Sequence, residues 1–158
     1  MATPAEIVRA HFDARSNRDV AGASAMFGPD LVLHLPEFVP FEDRNGLNRL
    51  VAVLDYVLHH TEGTFASEVV GVLGEGQVAV ALLSVTATRN GVAFSHHQAW
   101  TYRFDGDLVA EAWLHLDRPE AEIAEFYGGV TQRSTIDASS TGAASESGAG
   151  EVSARRTA

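Results

Sequence analysis

Four β-prone segments follow one another between residues 65 and 116, and only short turns separate them. They run from Phe65 to Leu73, from Val78 to Thr88, from Val92 to Phe104 and from Leu108 to Leu116. Asn90-Gly91, between the second and third segments, is the dipeptide most typical of a two-residue hairpin. Because strands joined by such short connections pair antiparallel, this half of the chain predicts a four-stranded meander.

Helical patterns occupy most of the chain before the meander. Thr3-Pro4-Ala5-Glu6 is a capping box with Pro at the first helical position. Between Leu47 and Leu58 the apolar residues recur at the three-four spacing of a helix that is buried on one side. The predicted elements are a helix from Pro4 to about Asn17, a short helix from Val20 to Phe27, a strand from Leu31 to Leu35 and a long helix from Gly46 to His60.

Helices grouped before antiparallel strands indicate an α+β fold, since a parallel sheet would need repeated strand-helix alternation. We therefore expect a cone-shaped, curved, mixed but mostly antiparallel sheet wrapped around the helix Gly46 to His60. Asp117-Arg118-Pro119-Glu120 resembles another helix start, and the short helix that follows is predicted to end at Gly128-Gly129.

A chain of 158 residues is suited to one compact domain, which we place at residues 1–131. Residues 132–158 consist mainly of Ser, Ala, Gly, Thr and Glu. Such a segment buries too little apolar surface to offset the entropy lost on ordering. We expect it to be a disordered tail.

Composition excludes several function classes. The net charge of −10 repels nucleic acid and anionic membrane surfaces. Cys and Lys are both absent, which removes thiolate nucleophiles, Schiff bases and a phosphate-loop lysine. No apolar run approaches the length of a membrane span. We therefore expect a cytoplasmic protein with no cofactor, no nucleic-acid partner and no membrane partner.

Two stretches carry a resemblance to a known family. They are Val32-Leu33-His34-Leu35-Pro36 and the segment from Arg103-Phe104-Asp105-Gly106 through Trp113 to Asp117. With the order of elements, they resemble the SnoaL-like polyketide cyclases, which belong with ketosteroid isomerases and limonene-epoxide hydrolases in the nuclear-transport-factor-2-like superfamily. The resemblance covers roughly residues 4 to 128. It implies that Trp113 and Asp117 lie at the pocket.

This sequence also departs from the characterised members of the superfamily. Leu35 stands where ketosteroid isomerases carry their proton-shuttling Asp, and Trp100 stands where they carry the oxyanion-hole Asp. The Arg and Asp pair of the epoxide hydrolases is missing from the preceding strand, which carries His96, Gln98 and Trp100 instead. The sequence therefore carries the complete catalytic set of neither the ketosteroid isomerases nor the epoxide hydrolases.

Alternation along the strands supplies candidate pocket residues, because side chains two apart share a face. The last strand has a polar and aromatic set, Val109, Glu111, Trp113, His115 and Asp117, and an apolar set, Ala110, Ala112, Leu114 and Leu116. We expect the first set to face a pocket with His34. The predicted catalytic residues are Asp117 and His34, and the predicted substrate-binding residues are Tyr56, His96, Gln98, Trp100, Trp113 and His115.

Each candidate has a structural alternative. Asp117 is either a helix N-cap alone or a cap that also acts as a base, with its pKa raised by an apolar pocket. His34 is either a hydrogen-bonded core histidine or a functional one. Neighbouring residues point apart, so the doublets His59-His60 and His96-His97 each offer one ligand at most, and no metal site is expected.

A pocket with one carboxylate, imidazoles and indoles suits a small apolar or aromatic substrate. We predict a cofactor-free acid/base cyclase or isomerase acting on a polyketide-like or terpenoid molecule. The alternatives are an epoxide-opening enzyme of the same fold and a non-catalytic binding or dimerisation module. The many β-branched and aliphatic residues on the outer sheet face predict a homodimer.

Overall fold

A computed structural model describes residues 1–127 of the chain. The elements, in chain order, are α1 (Pro4–Ser16), α2 (Val20–Ser24), β1 (Phe27–His34), α3 (Gly46–His60), β2 (Ala66–Glu75), β3 (Val78–Arg89), β4 (Val92–Asp105), β5 (Leu108–Leu116) and α4 (Glu120–Tyr127). The predicted tail, residues 132–158, and the predicted helix end at Gly128-Gly129 lie outside the described residues.

The five strands form one curved sheet in the order β1-β5-β4-β3-β2. β2, β3, β4 and β5 are a continuous antiparallel meander. β1 joins the free edge of β5 in parallel orientation. The predicted α+β class and the mixed, mostly antiparallel sheet are therefore confirmed.

Local signals determine the ends of several elements. Thr3 caps α1 through its hydroxyl, which accepts from the Glu6 amide at 3.3 Å, as in a capping box, and donates to the Glu6 carboxylate at 3.1 Å. At the hairpin, Asn90 and Gly91 have φ values of 54° and 78°. Positive φ at both central residues is the geometry that favours Asn-Gly in a two-residue turn.

β1 begins earlier than the sequence predicts. The expected short helix to Phe27 ends instead at Ser24, and Phe27 pairs with Val109 of β5. Pro29 is tolerated within this strand because β1 is at the edge of the sheet.

The sheet has an inner face, packed against α1 and α3, and an outer face. The inner face includes Leu31 and Leu33 of β1, Val72 of β2, Ala79, Ala81, Leu83, Val85 and Ala87 of β3, Phe94, His96, Gln98, Trp100, Tyr102 and Phe104 of β4, and Val109, Ala112, Leu114 and Leu116 of β5. Val8 and Phe12 of α1 and Leu50 of α3 complete the core. Within residues 1–127, no helix is long and apolar enough to cross a bilayer.

Candidate functional site

The pairing of β4 with β5 divides the predicted site residues into two groups. Gln98 lies opposite Leu116, and Trp100 lies opposite Leu114. Opposite residues of an antiparallel pair project from the same face of the sheet. Leu114 and Leu116 therefore share the inner face with Gln98 and Trp100, and Trp113 projects from the outer face.

The predicted common face is consequently wrong. The structure places one group of predicted residues on the inner face, namely His96, Gln98 and Trp100, and another on the outer face, namely His34, Trp113, His115 and Asp117. The alternation also breaks inside β5: Arg103 pairs with Glu111 but Phe104 pairs with Val109, so Ala110 is an extra, bulged residue. Val109 is buried for this reason.

His34 takes part in an outer-face network. Its Nε2 lies 2.6 Å from the Glu111 carboxylate, which also accepts from the Arg103 guanidinium at 3.1 Å. The imidazole stacks on Trp113, with ring centroids 5.1 Å apart and planes 9° apart. The hydrogen bond from His34 is the main reason that the pKa of Glu111 is lowered.

Asp117 contacts neither His34 nor the inner face. Its carboxylate accepts from the backbone N–H of His97 at 2.8 Å and lies 2.9 Å from Nδ1 of the same residue. These contacts, the backbone one foremost, lower the pKa of Asp117, whereas the pocket hypothesis needs a raised one. His34 pairs with Trp113, four residues before Asp117 and so about 13 Å away along the strand.

The N-cap interpretation of Asp117 is also wrong in its geometry. α4 begins at Glu120, and the first hydrogen bonds of the helix are those that the Glu122 and Ile123 amides donate to the Pro119 carbonyl. The Asp117 carboxylate instead links the end of β5 to β4 through its hydrogen bonds with His97. Beside it is a groove of about 320 Å³, lined mainly by residues of the outer face, Val70, Leu82, His97, Ala99, His115 and Asp117, together with Leu83, Gln98 and Leu116.

His96 is the buried polar residue at the end of the inner face nearest α4. Only 3% of its surface is exposed. Nε2 lies 3.3 Å from the Tyr127 hydroxyl, and Nδ1 makes no hydrogen bond of good geometry among residues 1–127. The His97 backbone is close enough to the ring to oppose, more weakly, the effect of burial on the pKa of His96. Burial lowers the pKa of His96, so the imidazole is neutral at pH 7.

Aromatic rings surround this imidazole. Phe94 and Tyr127 lie 5.7 Å and 6.1 Å from it between ring centroids. Phe126 stacks on Phe94 at 4.5 Å, and Phe65 lies 6.4 Å from Tyr127. Because aromatic rings offer little hydrogen bonding, the burial of the unpaired Nδ1 is not compensated, and a polar ligand group beside it would be stabilising.

The other predicted inner residues hydrogen-bond to protein groups. Trp100 donates from Nε1 to the Gln98 side-chain oxygen at 3.2 Å and stacks on Tyr102 with centroids 6.0 Å apart. Tyr56 of α3 donates to the Tyr127 carbonyl at 3.1 Å. Tyr56 and His96 therefore both contact Tyr127, at its carbonyl and its hydroxyl.

Sequence reasoning missed Tyr127. Tyr127 is buried at the end of the last helix, and nothing local in the sequence indicates that its hydroxyl meets a histidine 31 residues earlier. No group of three or more acidic or imidazole side chains suited to a metal ion occurs in the described part of the chain.

Comparison with known proteins identifies the fold and one family. A model of the SnoaL-like domain matches residues 8–112, which is more than half of the chain. No curated protein matches the chain. An NTF2-like protein of unknown function from Burkholderia pseudomallei superposes with a TM-score of 0.68 at 20% identity, covering 80% of this chain and 98% of its own.

Two further solved structures share the fold. IdmH from Streptomyces antibioticus, a proposed polyketide cyclase, has a TM-score of 0.62 at 14% identity and covers 73% of this chain and 93% of its own. TerC, co-crystallized with polyporic acid, has a TM-score of 0.64 at 15% identity and covers 77% of this chain and 95% of its own.

Proposed function

The chain belongs to the SnoaL-like domain family, and from this premise we propose that it is a cofactor-free acid/base cyclase or isomerase. Its substrate is a polyketide-like or terpenoid molecule, bound between the inner face and helices α3 and α4. The observation that carries the proposal is the buried His96 imidazole, whose Nδ1 is unpaired among aromatic side chains.

The chemistry of His96 supports a role on a carbonyl compound. A neutral imidazole in an apolar setting can donate a hydrogen bond to a carbonyl oxygen. Stabilising the enol or enolate form in this way lowers the barrier to transfer of a proton from the adjacent carbon to a water molecule, which acts as the base. Ring closure and double-bond migration in carbonyl compounds both begin with that proton loss. The surrounding rings supply contact area for a flat apolar skeleton.

A non-catalytic binding module is the second candidate. The observation in its favour is that the inner-face sheet residues include no carboxylate, while Glu111 and Asp117 are engaged on the outer face. An epoxide-opening site made of His34 and Asp117 is not supported, because the two residues have different partners.

Hydrogen–deuterium exchange at carbon separates catalysis from binding without knowledge of the natural substrate. The probe is 1-tetralone, a bicyclic aromatic ketone, incubated with the protein in D₂O and analysed by mass spectrometry for deuterium beside the carbonyl. Catalysis is expected to accelerate the exchange, and His96→Leu to reduce the acceleration by about 10²-fold. Asp117→Asn is the matched outer-face variant and is expected to retain it.

Three outcomes are informative. Binding of 1-tetralone or polyporic acid without accelerated exchange of the ketone supports the binding module. Loss of exchange in Asp117→Asn with retention in His96→Leu overturns the inner-face site. Failure of both compounds to bind overturns the ligand class.

We also propose that the protein is a homodimer that pairs through the outer face. Apolar side chains with large exposed fractions lie there, including Val70, Leu82 and Val32. Several exposed apolar side chains on one face of a sheet are typical of an interaction site.

A further inference from the structure

His96 and Tyr127 form a buried pair in which either partner could donate. Nε2 and the phenolic oxygen lie 3.3 Å apart, and Tyr127 is 8% exposed. A neutral imidazole carries one hydrogen, on either Nδ1 or Nε2, and a phenol both donates and accepts. The direction of this one hydrogen bond therefore determines the chemical character of Nδ1.

The two arrangements differ in which polar groups are left unpaired. If Nε2–H donates to Tyr127, the phenolic hydrogen has no acceptor within residues 1–127 and the lone pair of Nδ1 has no donor. If Tyr127 donates to Nε2, the Nδ1–H hydrogen and the phenolic lone pairs are unpaired instead. A phenol is a stronger donor than an imidazole N–H, and an imidazole nitrogen is a stronger acceptor than a phenolic oxygen. The second arrangement pairs the two stronger groups and is therefore favoured.

We propose that Tyr127 is a positioning residue that holds His96 in the Nδ1–H tautomer, so that the site recognises its ligand through an acceptor oxygen of a carbonyl or enolate. This inference rests on the proposed function and makes it more specific. Nδ1–H donates to the ligand and does not serve as the base. A ligand without an acceptor oxygen leaves Nδ1–H unpaired and is discriminated against.

The end of α4 is built to hold Tyr127 in this position. Arg89 of β3 donates to the Phe126 carbonyl at 2.8 Å, and Tyr56 of α3 donates to the Tyr127 carbonyl at 3.1 Å. The Phe126 ring stacks on Phe94, two residues before His96 on β4. Side chains from two other elements thus satisfy the last carbonyls of the helix and place the Tyr127 hydroxyl at Nε2.

The ligand also competes with aromatic packing. Nδ1 is buried, so a ketone reaches it only when neighbouring rings move. Phe94 and Phe126 are the stacked pair closest to the imidazole, and their NMR signals are expected to shift on ligand binding.

The test is the tautomer of His96, read from long-range ¹H–¹⁵N NMR of the full-length, ¹⁵N-labelled protein without ligand. The Nδ1–H form is expected in the wild type. In Tyr127→Phe the Nε2–H form should increase, because free imidazole side chains in water prefer it. Tyr56→Phe is the matched control: it removes one hydrogen bond to the end of α4 but leaves the Arg89 contact and the Tyr127 hydroxyl in place, and it should keep the Nδ1–H form.

A second experiment compares the binding of 1-tetralone with that of tetralin, which has the same skeleton without the carbonyl. The ketone alone should shift the His96 Nδ1–H proton downfield, and its affinity should fall about tenfold in Tyr127→Phe, the loss expected for one weakened hydrogen bond. An Nε2–H tautomer in the wild type overturns the inference even if Tyr127→Phe fails to fold. An equal response to tetralin also overturns it.

The NMR measurement of the His96 tautomer and the deuterium-exchange assay have independent outcomes. The tautomer is measured without ligand or turnover, whereas the proposed function is tested by deuterium incorporation into 1-tetralone. An Nδ1–H tautomer without exchange supports Tyr127 as a positioning residue in a binding module. Exchange with an Nε2–H tautomer supports the enzyme and overturns this role for Tyr127.

Discussion

The Asp117 carboxylate holds both the backbone N–H of His97, at 2.8 Å, and its imidazole Nδ1, at 2.9 Å. A carboxylate with two such donors is stabilised in its charged form, which explains its lowered pKa. It joins the end of β5 to β4 on the outer face. Asp117 is therefore a structural partner of His97 and a weak base.

Asp117→Asn is expected to change stability only slightly. The amide oxygen can still accept from the His97 N–H, while the half-exposed contact with the His97 imidazole is weakened, so the free energy of unfolding should fall by about 1 kcal/mol or less. Urea denaturation measures this directly. A fall of several kcal/mol would contradict a surface role.

The hydrogen-bonded pair of His96 and Tyr127 predicts strong non-additivity. His96→Leu leaves the buried Tyr127 hydroxyl without its partner and should cost about 1–3 kcal/mol. The double variant His96→Leu/Tyr127→Phe removes both polar groups and should be more stable than the His96→Leu single variant. A double-mutant cycle by urea denaturation checks this. Additive losses would show that the hydrogen bond contributes little.

The features predicted correctly from the sequence depend on neighbouring residues. The capping box at Thr3 and Glu6, the hairpin at Asn90-Gly91 and the bounds of α3 each follow from a few consecutive positions. Placement of Trp113 and Asp117 depends instead on the register of β5 against β4 and on the bulge at Ala110. Alternation identifies the two sets of residues on a strand without saying which one faces inward.

The inner site depends on even longer-range contacts. The sequence predicts His96 as a substrate-binding residue, but its unpaired nitrogen and its contact with Tyr127 arise only when α4 packs across the strands. Tertiary packing determines which face of a strand is turned inward and which group lies beside a buried polar atom. The periodicity of the sequence does not predict either of them.

His11 predicts a pH dependence of stability. It is 5% exposed, its Nδ1 lies 2.7 Å from the Ala23 carbonyl, and burial lowers its pKa from 6.5 to about 4. The unfolded chain therefore binds a proton at His11 between pH 6.5 and pH 4 that the folded protein does not. Stability should fall as the pH falls through this range, by about 3 kcal/mol at most, and His11 should add no further loss below about pH 4.

The measurement is urea denaturation at several pH values for the wild type and for His11→Gln. Gln can donate to the Ala23 carbonyl but does not titrate, so the difference in stability between the two proteins should narrow on acidification. Parallel curves for the two proteins would assign the acid loss to other groups. His96, whose pKa is lowered by burial as well, contributes with the same sign in both proteins and cancels in the difference.

The outer face supplies the last prediction, which concerns assembly. Val70 is the bulged residue of β2, since Val69 pairs with Leu83 and Gly71 with Leu82, and it is 64% exposed beside the outer-face groove. If this face joins two protomers, Val70→Arg places a charge in an apolar interface and should convert dimer to monomer at micromolar concentration. Val20→Arg is the matched control, because Val20 is 74% exposed on α2, away from the sheet. Sedimentation equilibrium should then show a monomer only for the Val70 variant. A monomeric wild type, or dissociation caused equally by both variants, would remove the outer face as the interface.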